Sequence, residues 1–279
     1  MKKIICPTDF SKAATNAVEF AAIIAGRVGA SITLLHVLHL PILDTTETAM
    51  VAAEVLSEQR RHANDKLHAL SHHLTETHRA NNLQVDYVVK ESLLADEVKH
   101  LTQAEGYDLV VIGSTGGGNT LEEILVGSNT AAVIDRVKCP VLTVPLKAHP
   151  APFQHIVYAS NYEKEDAEAL QEVLEFARLF QARVEIVHVS AEASDSVHSK
   201  ASQFRERLTQ ALPDFELEFH EVVHKDEVEG MKGYLTGKHA DLLAILKKRR
   251  GFFHNLFSQS FSEQLTYQSK LPMLIIHEP

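Results

Sequence analysis

The sequence predicts an α/β protein of two tandem doubly wound domains, each with a five-stranded parallel, Rossmann-like sheet. Three observations predict it. Short Ile/Val/Leu runs alternate with segments of helical periodicity, the order that lays crossover helices over a parallel sheet. The runs are apolar throughout, as strands covered on both faces must be. The whole pattern is written twice.

The repeat is visible residue by residue. Lys3-Ile4-Ile5-Cys6-Pro7-Thr8-Asp9-Phe10 matches His155-Ile156-Val157-Tyr158-Ala159-Ser160-Asn161-Tyr162. The same offset carries Val18 onto Leu170, Ala22 onto Leu174 and Leu35-His36-Val37 onto Val187-His188-Val189. At a smaller offset, Asp108-Leu109-Val110-Val111-Ile112 matches Asp241-Leu242-Leu243-Ala244-Ile245, and Cys139-Pro140-Val141 matches Leu271-Pro272-Met273. A duplication explains a shared beginning, second strand and end. The expected domains are 1–147 and 153–279, joined by a proline-bearing linker.

In the first copy, Ile4-Ile5 opens a buried strand. Ser11 is placed to cap a helix whose apolar positions, Ala14, Val18, Ala21, Ala22 and Ala25, recur at helical spacing. Ile32 to Val37 reads as the second strand. Leu56, Ala63, Leu67, Leu70 and Leu74 mark one stripe of a long helix. Val85 to Val89 is the third strand. A helix around Asp96 to Ala104 leads to the fourth, Leu109 to Ile112. A last helix, about Thr130 to Arg136, precedes the fifth, Val141 to Val144. Right-handed crossovers make this doubly wound, and ligands then bind at the carboxyl ends of strands where the strand order reverses.

Composition narrows the partners. The 279 residues suffice for two domains, and 45% hydrophobic with 23% charged residues is globular. A formal net charge of −10 excludes a nucleic-acid coat and disfavours anionic membrane surfaces. The amino terminus lacks a signal-peptide layout and no run reaches a membrane-spanning length, so the expected location is cytoplasmic. Cys6 and Cys139, each ahead of a proline, read as buried free thiols of a reducing compartment. His68, His72 and His73 lie close together on the long helix, but no acidic or cysteine ligand completes a set; they read as a solvated face. Neither a metal site nor a catalytic group is expected.

Two segments converge on the carboxyl end of the first sheet. Pro7-Thr8-Asp9 follows strand one. Gly113-Ser114-Thr115-Gly116-Gly117-Gly118 follows strand four and runs on to Gly127-Ser128-Asn129-Thr130 before the last helix. Glycines admit close approach and positive φ, and successive amides can form an anion nest. Gly127-Ser128-Asn129 stands at a helix amino terminus, which favours phosphate. Asp9 is expected to be a buried acid in need of a partner, or else a turn aspartate. Alone, the glycine run would read as a tight turn; with its neighbours it points to a polyphosphate site. The Walker lysine pattern and any nucleophile–base pair are absent, so efficient phosphoryl transfer is not supported.

These residues resemble the universal stress proteins. Their ATP-binding members carry a glycine, two residues, a second glycine, nine residues, then Gly-Ser or Gly-Thr. This chain is similar at Gly113, Gly116, Gly127 and Ser128, with ten residues between the second and third; Gly117 restores the nine-residue spacing but not the first pair. The likeness extends to Pro7-Thr8-Asp9-Phe10-Ser11, Leu34-Leu35-His36-Val37 and Glu122-Glu123-Ile124-Leu125-Val126-Gly127-Ser128. It implies a regulatory or stress-response protein that binds ATP or AMP with Mg²⁺ and at most hydrolyses it slowly or phosphorylates itself. It implies that Asp9 meets the adenine edge, Val37 lines the adenine pocket and Ile112 lies near the ribose. Gly113, Gly116, Gly127, Ser128 and Asn129 would hold ribose and phosphates, and Thr8 would help place a phosphate or its Mg²⁺. Single-domain members dimerise through the last strand. The resemblance thus implies that the two domains pack as an internal pseudo-dimer, with residues 141–144 and 274–276 pairing, whether the whole chain is a monomer or a homodimer, with or without a protein partner.

The second copy has lost this apparatus. Asn161 replaces Asp9, the stretch from Lys247 to Phe257 replaces the glycine loop, and Gln259-Ser260 replaces Gly127-Ser128. No ATP is expected there in the usual pose; the basic run 247–250 is a solvated loop or an anion contact. His36 and His188 occupy one place in both copies, which assigns them to packing. Two other readings stay open: an interaction module with a vestigial site, favoured by the extra loop residue, and an ATP-cleaving enzyme on the same adenine-nucleotide-hydrolase-like fold. The latter needs a pyrophosphate-gripping loop that Pro7-Thr8-Asp9-Phe10 does not supply.

Overall fold

The computed structural model describes residues 1–38, 46–114, 127–212, 215, 217–247 and 270–278. The first half runs β1 (Lys3–Pro7), α1 (Lys12–Val28), β2 (Ser31–Leu38), α2 (Thr46–Thr77), β3 (Gln84–Glu91), α3 (Leu94–Glu105), β4 (Leu109–Ser114), α4 (Ser128–Arg136) and β5 (Val141–Pro145). The second runs β6 (His155–Ala159), α5 (Lys164–Phe180), β7 (Arg183–Ser190), α6 (Asp195–Ala211), β8 (Glu218–Val223), α7 (Glu227–Lys238), β9 (Leu242–Lys247) and β10 (Met273–His277).

The ten described strands join one sheet in the order β3-β2-β1-β4-β5-β10-β9-β6-β7-β8. Pairing within each half is parallel, as predicted. The halves meet through an antiparallel pair, with Val141 opposite Ile275, Leu142 opposite Leu274 and Thr143 opposite Met273. This is the internal pairing expected of a pseudo-dimer. Each copy would otherwise leave a buried-type strand with an unpaired edge, and the duplicate supplies its complement. The carboxyl ends of the two sets of strands consequently face opposite ends of the sheet.

Successive strand residues alternate between two cores. Ile4 and Cys6 face the layer of α1, α2, α5 and α6, while Ile5 faces α3, α4 and α7. Both cores run unbroken across the halves. The predicted stripe of α1 is buried in full, and Ser11 caps it by accepting from the Ala14 amide. The linker is anchored by Phe153, 2% exposed, whose ring lies 5.9 Å from that of Phe20, 5.7 Å from Phe176 and 5.2 Å from Phe180. Asn16 holds it from the other side, donating to the carbonyls of Pro145 (2.9 Å) and Ala148 (2.8 Å).

The duplication shows in detail. Asp108 accepts from the amides of Lys2 and Lys3 at the foot of β1, and Asp241 accepts from those of Gln154 and His155 at the foot of β6. One expectation needs correction: Cys6 is buried, but Cys139 is only half-buried. Burial raises both thiols, that of Cys139 to about 11, which keeps them protonated and unreactive near neutrality.

Candidate functional site

The strand order of the first half reverses between β1 and β4. Chain leaves these neighbours toward opposite faces, and a crevice opens at their carboxyl ends. A cavity of about 210 Å³ lies there. Pro7, Thr8, Asp9, Val37, Ile112, Gly113, Gly127, Ser128 and Asn129 all line it, together with Ala14, His36 and Leu94. Gly116 and Gly117 lie outside the described residues, as do Gly118 and the Glu122 to Val126 stretch.

One wall is the exit from β1. The Thr8 amide donates to the Leu35 carbonyl at 2.8 Å, extending the β1–β2 ladder by one bond. The Thr8 hydroxyl accepts from the Phe10 amide at 3.1 Å, and Phe10 takes the left-handed conformation, φ 64. The His36 ring lies 4.7 Å from the Phe10 ring, and its Nδ1–H donates to the Thr8 carbonyl at 2.7 Å. The second half repeats this device. Tyr162 has φ 59, its ring lies 4.5 Å from that of His188, and His188 Nδ1 lies 2.8 Å from the Ser160 carbonyl. The two histidines therefore brace the strand exit in both copies, as the packing assignment required.

Of the two alternatives for Asp9, the structure takes the turn aspartate and not the buried acid. Asp9 is exposed, and its Oδ1 accepts from the Ser11 amide at 2.9 Å, an Asx turn that starts α1. A short acidic residue directly ahead of a helix satisfies itself locally, and the carboxylate is left at the crevice mouth.

The opposite wall comes from β4 and α4. A Cβ on Gly113 would stand 2.5 Å from the backbone carbon and oxygen of Ala13, so only glycine lets the first turn of α1 rest on the end of β4. Thr130 donates to the Gly113 carbonyl at 3.1 Å and ties α4 to the same strand end. Gly127 precedes α4 with φ 84 and ψ 148, a region essentially closed to other residues. That conformation starts the helix at Ser128, two residues before the sequence-based boundary. Among the described residues no side chain caps α4, so its first amides and the positive end of its dipole face the crevice.

The second half seats a carboxylate at the corresponding strand exit. At the position of Ala14 stands Asp166, 2% exposed. It accepts from the hydroxyls of Tyr158 and Ser160 and from the amides of Asn161 and Glu163, each at 3.0 Å. Leu246, 2% exposed, replaces Gly113. Sequence reasoning missed Asp166, although the repeat offset lays it on Ala14 and an acid three residues after Glu163 signals a capping box. Of the basic run, Lys247 alone is described; its Nζ donates to the Ile134 carbonyl at 3.1 Å and pairs with Asp135 across the halves. Phe252, Phe253, Phe257 and Gln259-Ser260 lie outside the described residues.

Fold and crevice together define a tandem α/β protein of the kind that takes ligands at the switch point of a parallel sheet. Residues 1–145 and 152–277 each match the Universal stress protein family, and the chain belongs to that family. Universal stress protein MJ0577 of Methanocaldococcus jannaschii is 28% identical over 156 residues, covering 52% of this chain and 96% of its own. A universal stress protein structure from Archaeoglobus fulgidus DSM 4304 superposes with a TM-score of 0.72 at 17% identity, covering 99% of this chain and 98% of that one. The functionally unknown protein PA1789 of Pseudomonas aeruginosa PAO1 gives 0.57 at 15% identity, covering 100% and 93%. These likenesses support the tandem fold over its full length. Among the described residues, no helix is long and apolar enough to cross a membrane.

Proposed function

We propose that this chain is an adenine-nucleotide-binding regulatory protein, taking ATP or AMP in the crevice of the first half and none in the second. One observation carries the reading: the uncapped amino terminus of α4 faces Pro7, Thr8 and Asp9 across the switch point, with Gly113 between them. Amides and a helix dipole aimed into a crevice complement a phosphate chain. Val37, Ile112 and Leu94 offer apolar wall for base and ribose, and the Asp9 carboxylate can accept from the exocyclic amine of adenine. Gly116 and Gly117 complete the set by resemblance. Mg²⁺ would arrive with the phosphates, with Thr8 and Asp9 the nearest oxygen donors from β1.

The lining supports binding more than turnover. Asp9 already accepts from Ser11, and His36 directs Nδ1–H to the Thr8 carbonyl, so neither is poised against a hydroxyl or thiol among the described residues. At most slow hydrolysis follows. Native mass spectrometry of the purified chain tests for retained nucleotide, and calorimetric titration compares ATP with AMP. Asp9→Ala and Gly127→Gln should each weaken ATP at least tenfold, about 1.4 kcal/mol. Unchanged affinity in both variants refutes the site.

A further inference from the structure

The second half carries a buried polar cluster at the foot of its sheet, away from the strand exit that Asp166 occupies. β6, β7 and β8 lie side by side, and their first turns of chain bring His155, Glu185, Glu218 and His220 together. The side chains of Glu185 and His155 are 2% and 5% exposed. Oε2 of Glu185 accepts from the Tyr234 hydroxyl at 2.6 Å. It lies 3.2 Å from His155 Nε2 and 3.9 Å from His220 Nε2. His220 Nε2 is in turn 3.7 Å from Oε2 of Glu218.

One nitrogen here is unaccounted for. Nε2 of His220 is buried and makes no hydrogen bond, although two carboxylates flank it. His155 is placed differently: its Nδ1 lies 3.2 Å from the Lys238 carbonyl and 3.2 Å from Arg183 Nη2. With Nδ1 accepting from Arg183, Nε2–H of His155 faces the Glu185 carboxylate at 3.2 Å. A cation seated between Glu185 and Glu218 would give His220 Nε2 its partner. The first half provides an internal control: the sheet register puts Lys3, Thr33, Asp86 and Val88 at the positions of His155, Glu185, Glu218 and His220. There Thr33 simply accepts from the Tyr107 hydroxyl at 2.9 Å. Among the described residues the imidazole–carboxylate cluster belongs to the second half alone.

We propose that Glu185, Glu218 and His220 bind a divalent transition metal ion, Zn²⁺ by the chemistry of one imidazole with two carboxylates. Their donor atoms all lie within 4.8 Å of one another. Ligands at about 2.0–2.2 Å from a tetrahedral zinc stand about 3.3–3.6 Å apart, so the two nearest pairs need to close by only a few tenths of an ångström. A water completes the shell. His155 and Tyr234 are positioning residues that orient the Glu185 carboxylate. Arg183, whose Nη2 is 3.8 Å from Oε1 of Glu185, is 58% exposed and free to swing outward when the ion neutralises the acid. The ion would staple the edge strand β8 to β7, stabilising the second half.

The test uses the whole chain, stripped with chelator and titrated with ZnCl₂ by calorimetry while thermal melting is followed. One equivalent should bind with a rise in melting temperature. His220→Gln and Glu218→Gln sit at the partly exposed rim and should fold, each weakening Zn²⁺ about tenfold or more. Tyr234→Phe should weaken it less and alter the visible spectrum of the Co²⁺-substituted protein. Absence of binding at micromolar Zn²⁺ overturns the proposal. So does binding that survives both rim variants yet disappears in His68→Gln/His72→Gln, the exposed pair on α2.

Discussion

At the end of β1 the first half arranges Thr8, Asp9 and Ala14 around an open crevice; at the end of β6 the second arranges Ser160, Asn161 and Asp166 in the same positions. The framework between them is unchanged. Both strand exits turn through a left-handed aromatic residue stacked on a histidine that holds the preceding carbonyl. What differs is where the backbone amides go. In the first half Ala14 presents only a methyl group at the start of α1, and the Ser11 amide goes to Asp9 at the crevice mouth. In the second, one carboxylate takes the amides of Asn161 and Glu163 and two hydroxyls besides. Burying that acid is tolerable only because four donors meet it, and once met it also repels any phosphate. A strand exit can thus be occupied from within by one side chain, with no change of fold.

The comparison can be broken at several levels. The largest effect should come from Phe153→Ala, which empties the aromatic cluster shared by both halves; a loss of about 3–5 kcal/mol is expected in a urea melt. A loss below 1 kcal/mol would show that the halves are held by the β5–β10 pair alone. Next, Ala14→Asp should transplant the buried carboxylate of the second half into the first, reducing ATP affinity about a hundredfold, or about 2.7 kcal/mol. Retained affinity would mean that Asp166 is not what separates the two sites.

A smaller effect distinguishes the two strands at the junction. β5 ends in Pro145, whereas β10 ends in His277, whose Nε2–H donates to the Ile134 carbonyl at 2.7 Å. Burial, aided by nearby Lys247, holds this imidazole below its ordinary range and outweighs the bond to Ile134. The folded form therefore stays neutral while the unfolded chain takes up a proton near pH 6.5. Its contribution is complete above about pH 6.5 and is lost as pH falls from there through the folded value. His277→Gln should flatten the stability profile between about pH 7 and 5; identical slopes would remove His277 from the account. The smallest expected effect is none. Asn161→Asp restores the residue type of the first site, yet with Asp166 and Leu246 in place it should confer no ATP binding, and a measurable gain would reopen the second crevice.

Much of this was legible in the residues. The strands, the cap at Ser11 and the buried face of α1 follow from periodicity, capping chemistry and the repeat, and the pairing of residues 141–144 with 274–276 from the family resemblance. The nine described members of the candidate site also fall around one cavity, because each sits at or just past the carboxyl end of a strand or at the start of a helix. Of the two readings of Asp9 the turn aspartate holds, because its side chain bonds two residues ahead, a local choice that strand-end position does not settle. Asp166 was readable through the offset from Ala14 but carries no glycine-like signal of its own. The cluster around Glu185 offers no motif at all: its members lie on three strands and one helix, and only the register of β6, β7 and β8 brings them together.

By itself, then, the sequence determined what depends on neighbours along the chain: two copies of an α/β unit, the order of their elements, and the turns at each strand end. These rest on backbone preferences and on apolar spacing within a few residues. Tertiary structure alone decided which strand exit takes a buried carboxylate and which polar groups meet at the foot of the second sheet. Those outcomes depend on whether a carboxylate finds donors contributed by distant segments, and burial makes that energy large only after the segments have come together.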